Sequence, residues 1–376
     1  MFRLERGGYC GVDILTPYAT TFKVILCMEK YFDVMMEQLE SFGYNNEDII
    51  KYSDINLDIA DEDVVDSIDE KTYRENAVFE AFYADNLGIN KNGIVRIRES
   101  RAKKKCNDFF VVDSLDVKLT DRCTLKCEYC AASIDYLRPD EQCDNKVEQV
   151  IEDFFSFLNK VSFVRRVFFT GGETFLYRDL NRLFAYLLSE KEYVSRKCGR
   201  ISVITNGTLL PSNETVKLLK ENDFFVFISD YMSVKAIKKN RMTELTSLLK
   251  KNGVHYLISP LSGGWRDIQS LVPCKNAEEK SRECTNRYCS PIEDGRYYRC
   301  WFLLQMCKIQ AIPFSENDSI TIRDINKESF ENYRNGTCPG CGWCKGHNQS
   351  QRENNIVAVA HQIKECRQYK KYYELK

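Results

Sequence analysis

The sequence predicts an α/β protein built on a parallel sheet, and three observations point there. Between about residues 111 and 265, short β-rich runs alternate with helix-like stretches. Each of the first four runs is followed by polar or glycine-rich residues, which chance would rarely arrange. Three cysteines are packed into the loop after the first run. Strand, helix, strand in repetition implies right-handed crossovers and therefore parallel pairing.

The expected strands are Leu115–Leu119, Arg166–Thr170, Ile201–Thr205, Phe224–Ser229 and Val254–Ile258. The expected helices are Val147–Val161, Arg178–Leu188, Asn213–Glu221 and roughly Lys235–Lys251. After the first strand comes Thr120-Asp-Arg-Cys-Thr-Leu-Lys-Cys-Glu-Tyr-Cys130. Gly171-Gly172-Glu173 follows the second, Asn206-Gly207 the third and Asp230 the fourth. In parallel α/β folds ligands sit at the carboxyl ends of strands, so these residues share one candidate edge.

Residues 1–110 read as a separate accessory module. Lys23–Met28 and Asp48–Tyr52 resemble strands, Tyr31–Ser41 an amphipathic helix, and the run from Asp54 to Glu70 is strongly acidic. The glycines around Gly7, Gly8 and Gly11 lack the spacing of a phosphate-binding loop. A faint likeness to the end of Rossmann-like modules of polysaccharide biosynthesis carries no GxGxxG, and a structural or docking role is the plainer reading.

Of 376 residues, 43% are apolar and 12% aromatic, enough for two or three packed units. Lys and Arg number 54 against 55 Asp and Glu. That balance provides no long-range field for nucleic acid or an anionic membrane. The basic run Arg101 to Lys105 reads as a solvated linker. No apolar run reaches the roughly 18 residues of a membrane span, and the first residues lack a signal-peptide core. The expectation is a cytoplasmic protein.

Seventeen cysteines then need an explanation other than disulfides, since thiols stay reduced in the cytosol. Cys123, Cys127 and Cys130 form one group. Cys274, Cys284, Cys289, Cys300 and Cys307 form a second, and Cys338, Cys341, Cys344 and Cys366 a third. Cys10, Cys27, Cys106, Cys143 and Cys198 stand apart and read as buried small hydrophobes. Iron–sulfur clusters normally take one thiolate per iron. Three clustered cysteines imply either a distant fourth ligand or an iron left open for a substrate; closed zinc sites take four ligands.

The CxxxCxxC of Cys123, Cys127 and Cys130, with Tyr129 before the last cysteine, resembles the signature of the radical S-adenosylmethionine (SAM) superfamily. The resemblance implies a partial (β/α)6 TIM-like barrel over about residues 111–265, less than half of the chain. It implies a 4Fe–4S cluster on the three thiolates, with SAM chelating the open iron and Tyr129 near the adenine. Gly171-Gly172-Glu173 matches the family's GGE, whose carboxylate would meet the methionyl ammonium. Asn206 and Asp230 fall where the family places further SAM contacts. Reductive cleavage of SAM would give a 5′-deoxyadenosyl radical that abstracts a substrate hydrogen, the electron coming from a reductase such as flavodoxin or ferredoxin.

Residues 266–376 resemble the SPASM and twitch auxiliary-cluster domains. Cys284 is followed by Gly295, then Cys300 after four more residues, then Cys338-Pro-Gly-Cys341. Asp294-Gly295 is a hairpin signal that would bring the flanking cysteines together. Here a third cysteine follows CxxC after two residues, which departs from the SPASM spacing. One auxiliary 4Fe–4S cluster is expected on Cys284 or Cys289 with Cys300, Cys338 and Cys341. Cys274, Cys307, Cys344 and Cys366 would serve a second. A zinc ribbon is the alternative, because paired CxxC motifs suit tetrahedral zinc equally well. His347, His255 and His361 carry no motif. For the substrate, oxidation or epimerisation of a sugar or nucleotide-sugar comes first, modification of a ribosomal peptide second, and activation of a partner protein third. The catalytic hydrogen donor is unknown from sequence.

Overall fold

The computed structural model describes residues 24–26, 49–51, 110–238, 240–259, 265–270, 272–273, 276–284, 290–346 and 356–375. The chain divides into two units, Met1–Glu80 and Ala81–Lys376. In the first, β1 (Val24–Leu26) pairs in parallel with β2 (Ile49–Lys51). Both strands fall where the sequence places them. The residues between them are enough for the crossover of about a dozen residues that parallel pairing needs. The expected helix Tyr31–Ser41, the acidic run, the glycines near the start, the basic run, Cys10, Cys27, Cys106, Cys274, Cys289 and His347 lie outside the described residues.

The second unit is organised by one eight-stranded sheet. Five parallel strands follow in chain order: β3 (Val111–Thr120), β4 (Phe163–Gly171), β5 (Cys198–Thr205), β6 (Phe225–Ser229) and β7 (Tyr256–Ser259). Helices α1 (Val147–Lys160), α2 (Leu180–Ser189), α4 (Asn213–Glu221) and α5 (Met242–Lys251) make the crossovers. A short α3 (Lys191–Lys197), which the sequence pattern did not announce, leads into β5. The last crossover helix begins only at Met242, because Tyr231–Lys238 coils into turns first.

The helices bury one face each. Val147, Val150, Phe154, Phe157 and Leu158 of α1 recur at helical spacing and are 4% exposed or less. They meet Leu115, Val117, Val167 and Phe169 from the sheet. Fully burying one such phenylalanine stabilises by about 1.5–3 kcal/mol. Ser212 caps α4 by accepting from Thr215 N at 3.1 Å, supplying a partner that the first helical turn otherwise lacks.

The described residues within 111–265 supply five strands to this sheet. A small strand β8 (Trp265–Arg266) pairs with β12 (Ile356–Val357) in a separate ribbon. The strand parallel to β3 on its free side is β9 (Pro291–Glu293), in register Asp116↔Pro291 and Val117↔Ile292. β10 (Arg296–Tyr298) and β11 (Ser319–Thr321) extend it antiparallel. The sheet therefore runs across the expected seam at residue 266. Asp294 and Gly295 join β9 to β10 with φ of 51° and 71°. That is the turn their sequence announced, since both positions need left-handed backbone.

The remaining helices are α6 (Ala277–Glu283), α7 (Trp301–Lys308) and α8 (Lys327–Asn335). α7 is anchored on β3 by buried polar contacts. Trp301 Nε1 donates to Asp116 Oδ2 at 2.6 Å, and burial pushes that carboxyl up to about 6 against this bond. Lys118 lies 2.9 Å from Asp121 and 3.0 Å from Glu293, and Lys308 completes a box of two cations and two carboxylates. Equal numbers of buried charges are what a low-dielectric interior tolerates. No described helix is long and apolar enough to cross a membrane.

Candidate functional site

The carboxyl ends of β3 to β6 lie side by side, with Thr120 opposite Gly171 and Thr205 opposite Ile228. The register of β3 slips between Lys118 and Thr120, and this irregularity turns the chain into the cysteine loop. Thr120 fixes the turn through Asp144, and its Oγ1 also accepts from Arg122 N at 2.9 Å.

The glycines of the GGE segment serve the same junction. Gly172 N donates to Thr120 O and Glu173 N to Arg122 O, both at 2.8 Å. A Cβ on Gly171 would stand 2.2 Å from Thr120 O, and one on Gly172 would stand 2.2 Å from Arg122 O. Neither backbone oxygen can yield without moving the cysteine loop. Gly172→Ala should therefore destabilise by about 1–3 kcal/mol, as overpacking does. Thermal unfolding would measure it, and an unchanged midpoint would contradict the packing.

Glu173 is fully buried. Its carboxylate accepts from Thr205 Oγ1 (2.8 Å), Asn206 N (2.8 Å) and Phe175 N (3.1 Å). Burial raises its pKa, with those donors opposing. Three of its four lone-pair directions are thus used by the protein, which leaves one for a ligand cation. The Asn206 side chain is committed to the loop: Nδ2 donates to Thr124 Oγ1 at 3.0 Å and faces Cys123 Sγ at 3.6 Å, while Oδ1 accepts from Thr208. Asp230, at the end of β6, accepts from Met232 N at 3.1 Å.

The three thiols are gathered, Cys127 buried and Cys123 and Cys130 half-buried. Burial raises Cys123 far above the ordinary thiol range, Cys127 to about 12 and Cys130 to about 11. Repulsion among the thiolates adds to the rise at Cys123 and Cys127. Each sulfur nevertheless faces N–H donors. Leu125 N meets Cys123 at 3.4 Å, Gln362 Nε2 meets Cys127 at 3.0 Å, and the backbone N–H groups of Ala132, Ser133 and Ile134 point at Cys130. Buried sulfurs ringed by donors suit thiolates whose charge a bound metal cluster neutralises. The donor set fits an iron–sulfur cluster.

Tyr129 sits at φ 60°, a conformation costly for a bulky residue. Its N–H donates to buried Asp135 at 3.0 Å, and the Arg367 guanidinium covers its ring at 4.5 Å and that of Tyr136 at 4.7 Å. Tyr231, buried beside the three thiols, follows Asp230 directly.

The second set is built around α7. Burial raises Cys300 well above the thiol range, and Cys284, Cys341 and Cys344 are the nearby thiols adding to it. The hydrogen bond from Cys338 holds Cys341 down, with Arg299 also lowering it, while the same bond pushes Cys338 up. Cys284, Cys338, Cys341 and Cys344 thus lie in the neighbourhood of Cys300. Cys344, expected at a second cluster, is among these neighbours. Cys307 does not join them, because seven residues along one helix displace it by about 10 Å. It faces Asp318 instead. Cys366 donates to Leu137 O at 3.2 Å near the other loop. Cys198 is fully buried in the core as expected, whereas Cys143 is exposed, a departure explained by its place in the turn over the end of β3. Among the described residues, no three His, Cys, Asp or Glu side chains converge on a single-ion position.

Several residues carried no sequence signal. Arg299, 2% exposed, donates to the carbonyls of Tyr333 and Gly336 at 2.8 Å and holds the turn before Cys338. Gly340 N donates to Asp318 at 2.7 Å, and a Cβ there would meet Leu303 at 2.4 Å. Gln269 bridges both sets. Its side chain donates to Cys130 O at 3.1 Å, while its backbone pairs with Cys344.

Residues 117–256 match the sequence profile of the Radical SAM superfamily. That span carries a radical SAM domain. The chain is 29% identical over 147 residues to the antilisterial bacteriocin subtilosin biosynthesis protein AlbA of Bacillus subtilis (strain 168). That match covers 37% of this chain and 30% of AlbA, well short of the relative's full length. Among solved structures, Streptococcus suis SuiB bound to precursor peptide SuiA is 17% identical, with 45% of this chain and 38% of that one covered and a TM-score of 0.32. Native anSMEcpe with bound AdoMet is 17% identical, with 66% and 93% covered and a TM-score of 0.42. Radical SAM enzymes use a 4Fe–4S cluster and SAM.

Proposed function

We propose that this radical SAM enzyme oxidises a peptide, holding its SAM-cleaving cluster on Cys123, Cys127 and Cys130 and an auxiliary cluster on thiolates from Cys284, Cys300, Cys338, Cys341 and Cys344. The observation that carries this reading is the second, separate gathering of five cysteines, linked to the first through Gln269. A 4Fe–4S cluster held by these three thiolates would supply the electron for reductive cleavage of SAM, the source of the radical that takes a hydrogen atom from substrate carbon.

The chain's own residues then do defined work. Glu173 offers its remaining lone pair to the SAM ammonium, and Asp230 lies one strand further along the same edge. An auxiliary cluster held there would supply the acceptor for the substrate radical's electron and relay it to an external acceptor, so that with the proton lost to solvent the product would be lighter by two hydrogens, as in cross-link formation. The box of Lys118, Asp121, Glu293 and Lys308 fixes α7, and with it Cys300, against β3.

A peptide substrate is favoured by the similarity to a bacteriocin biosynthesis protein, bacteriocins being peptides. The sugar reading, ranked first on sequence, drew on the faint likeness of the N-terminal residues and on the resemblance to twitch-type enzymes that act on sugars, and gains no support from that relative. The electron source on this reading is a small reductase such as flavodoxin or ferredoxin. Anaerobic enzyme with SAM, dithionite and synthetic peptides copied from short reading frames beside its gene should yield a peptide lighter by two hydrogens. One 5′-deoxyadenosine should accompany each product. Turnover of nucleotide-sugars and of none of the peptides would reverse the choice.

A further inference from the structure

The segment that crosses the cysteine loop near the end of the described chain is bound to it residue by residue. Cys127 and Gln362 face each other in an antiparallel bridge. Glu128 N donates to His361 O at 2.8 Å, and Ile363 N donates to Lys126 O at 3.0 Å. Ala360 is fully buried against Cys127 and Tyr231. Arg367 N donates to Asp135 O at 2.8 Å, and its guanidinium lies on Tyr129 and Tyr136 while pairing with Asp135 at 3.4 Å.

Within this strap one side chain addresses the sulfur directly. Gln362 Oε1 accepts from Lys126 N at 3.0 Å, which fixes the amide's orientation. Its Nε2 donates to Cys127 Sγ at 3.0 Å and to Ala360 O at 2.7 Å. The donors to Cys123 and Cys130 come from the loop itself or from the end of β5. Among the described residues, Cys127 alone of the three draws its donor from 235 residues away.

We propose that Gln362 is a positioning residue that tunes the reduction potential of the cluster held by Cys127; the proposal rests on the assignment of that cluster made above. An N–H directed at a ligating sulfur withdraws electron density and stabilises the more negative, reduced state. The hydrogen bond therefore makes the cluster easier for an external reductase to reduce, at the cost of a weaker driving force for the electron's onward transfer to SAM. The strap gives the tuning a fixed geometry, because backbone bonds on both sides of Gln362 hold it whatever its side chain does.

The test is an anaerobic potentiometric titration of the reduced cluster's EPR signal that changes on adding SAM, with iron counted on the same samples. Gln362→Leu removes the donor, and Gln362→Glu keeps the acceptor for Lys126 N while placing a carboxylate at the sulfur. The midpoints should fall in the order wild type, Leu, Glu. The Leu variant's reduced-to-oxidised ratio should drop about tenfold at fixed potential, about 59 mV for one electron. Full iron with unchanged midpoints in both variants overturns the proposal. Loss of cluster iron in both makes the strap a mechanical clamp and overturns the tuning role. Cys127→Ala, run in parallel, separates the readings: if it keeps the SAM-sensitive signal, the cluster assignment itself is wrong.

Discussion

Cys127→Ala is expected to lose about four irons per chain after anaerobic reconstitution, from a wild-type content of about eight, and to produce no 5′-deoxyadenosine. The reason lies in how the three thiols are held. Cys127 is buried and Cys123 and Cys130 are half-buried, and the loop that carries them is pinned by the glycine contacts of Gly171 and Gly172 and by Asn206. Removing one sulfur leaves two thiols that desolvation keeps protonated and one ligand too few for the cluster. The protein should stay folded, because Cys127 contributes little to the main core under the helices, where it is absent from the packed set. Iron and sulfide analysis with product chromatography checks both halves. Wild-type 5′-deoxyadenosine from the variant would sink the assignment.

The second large effect separates two cysteines on one helix. Cys300→Ala should lose about four irons while leaving SAM cleavage without substrate intact, since Cys300 sits among Cys284, Cys341 and Cys344. Cys307→Ala should leave the iron count unchanged, because its neighbours are Asp318 and Tyr298 and not the other thiols. Loss of zinc with iron untouched in the Cys300 variant would replace the auxiliary cluster by a zinc site. Equal loss of iron in both variants would mean that a further cluster exists on Cys307. The N-terminus of α7 adds to the expectation for Cys300, which caps that helix and feels its positive end.

Much of the radical SAM core was legible in order of appearance. The strand and helix periods from Leu115 to Ile258, the GGE glycines and the Asp294-Gly295 turn are local signals, set by side-chain alternation and by backbone conformations that few residues adopt. The cysteine trio was equally plain, since its three ligands come from a single loop. Less plain was the last third, where Cys344 and Cys307 were both set aside for another centre. The structure keeps Cys307 apart from Cys300 but brings Cys344 near it, because the Cys338–Cys344 turn docks there.

The sequence by itself thus determined the domain, because short-range motifs encode the cysteine trio and the strand ends that surround it. Only the tertiary structure decided which distant residues complete the site. The β9 strand joins the sheet beside β3, Gln269 ties Cys130 to Cys344, and Gln362 and Arg367 close over the cysteine loop from more than two hundred residues away. The physical reason is that a lone glutamine or arginine carries no periodicity and no turn preference. Its role exists only once packing of the apolar cluster around Ile134, Ile268 and Trp301 brings the loops together.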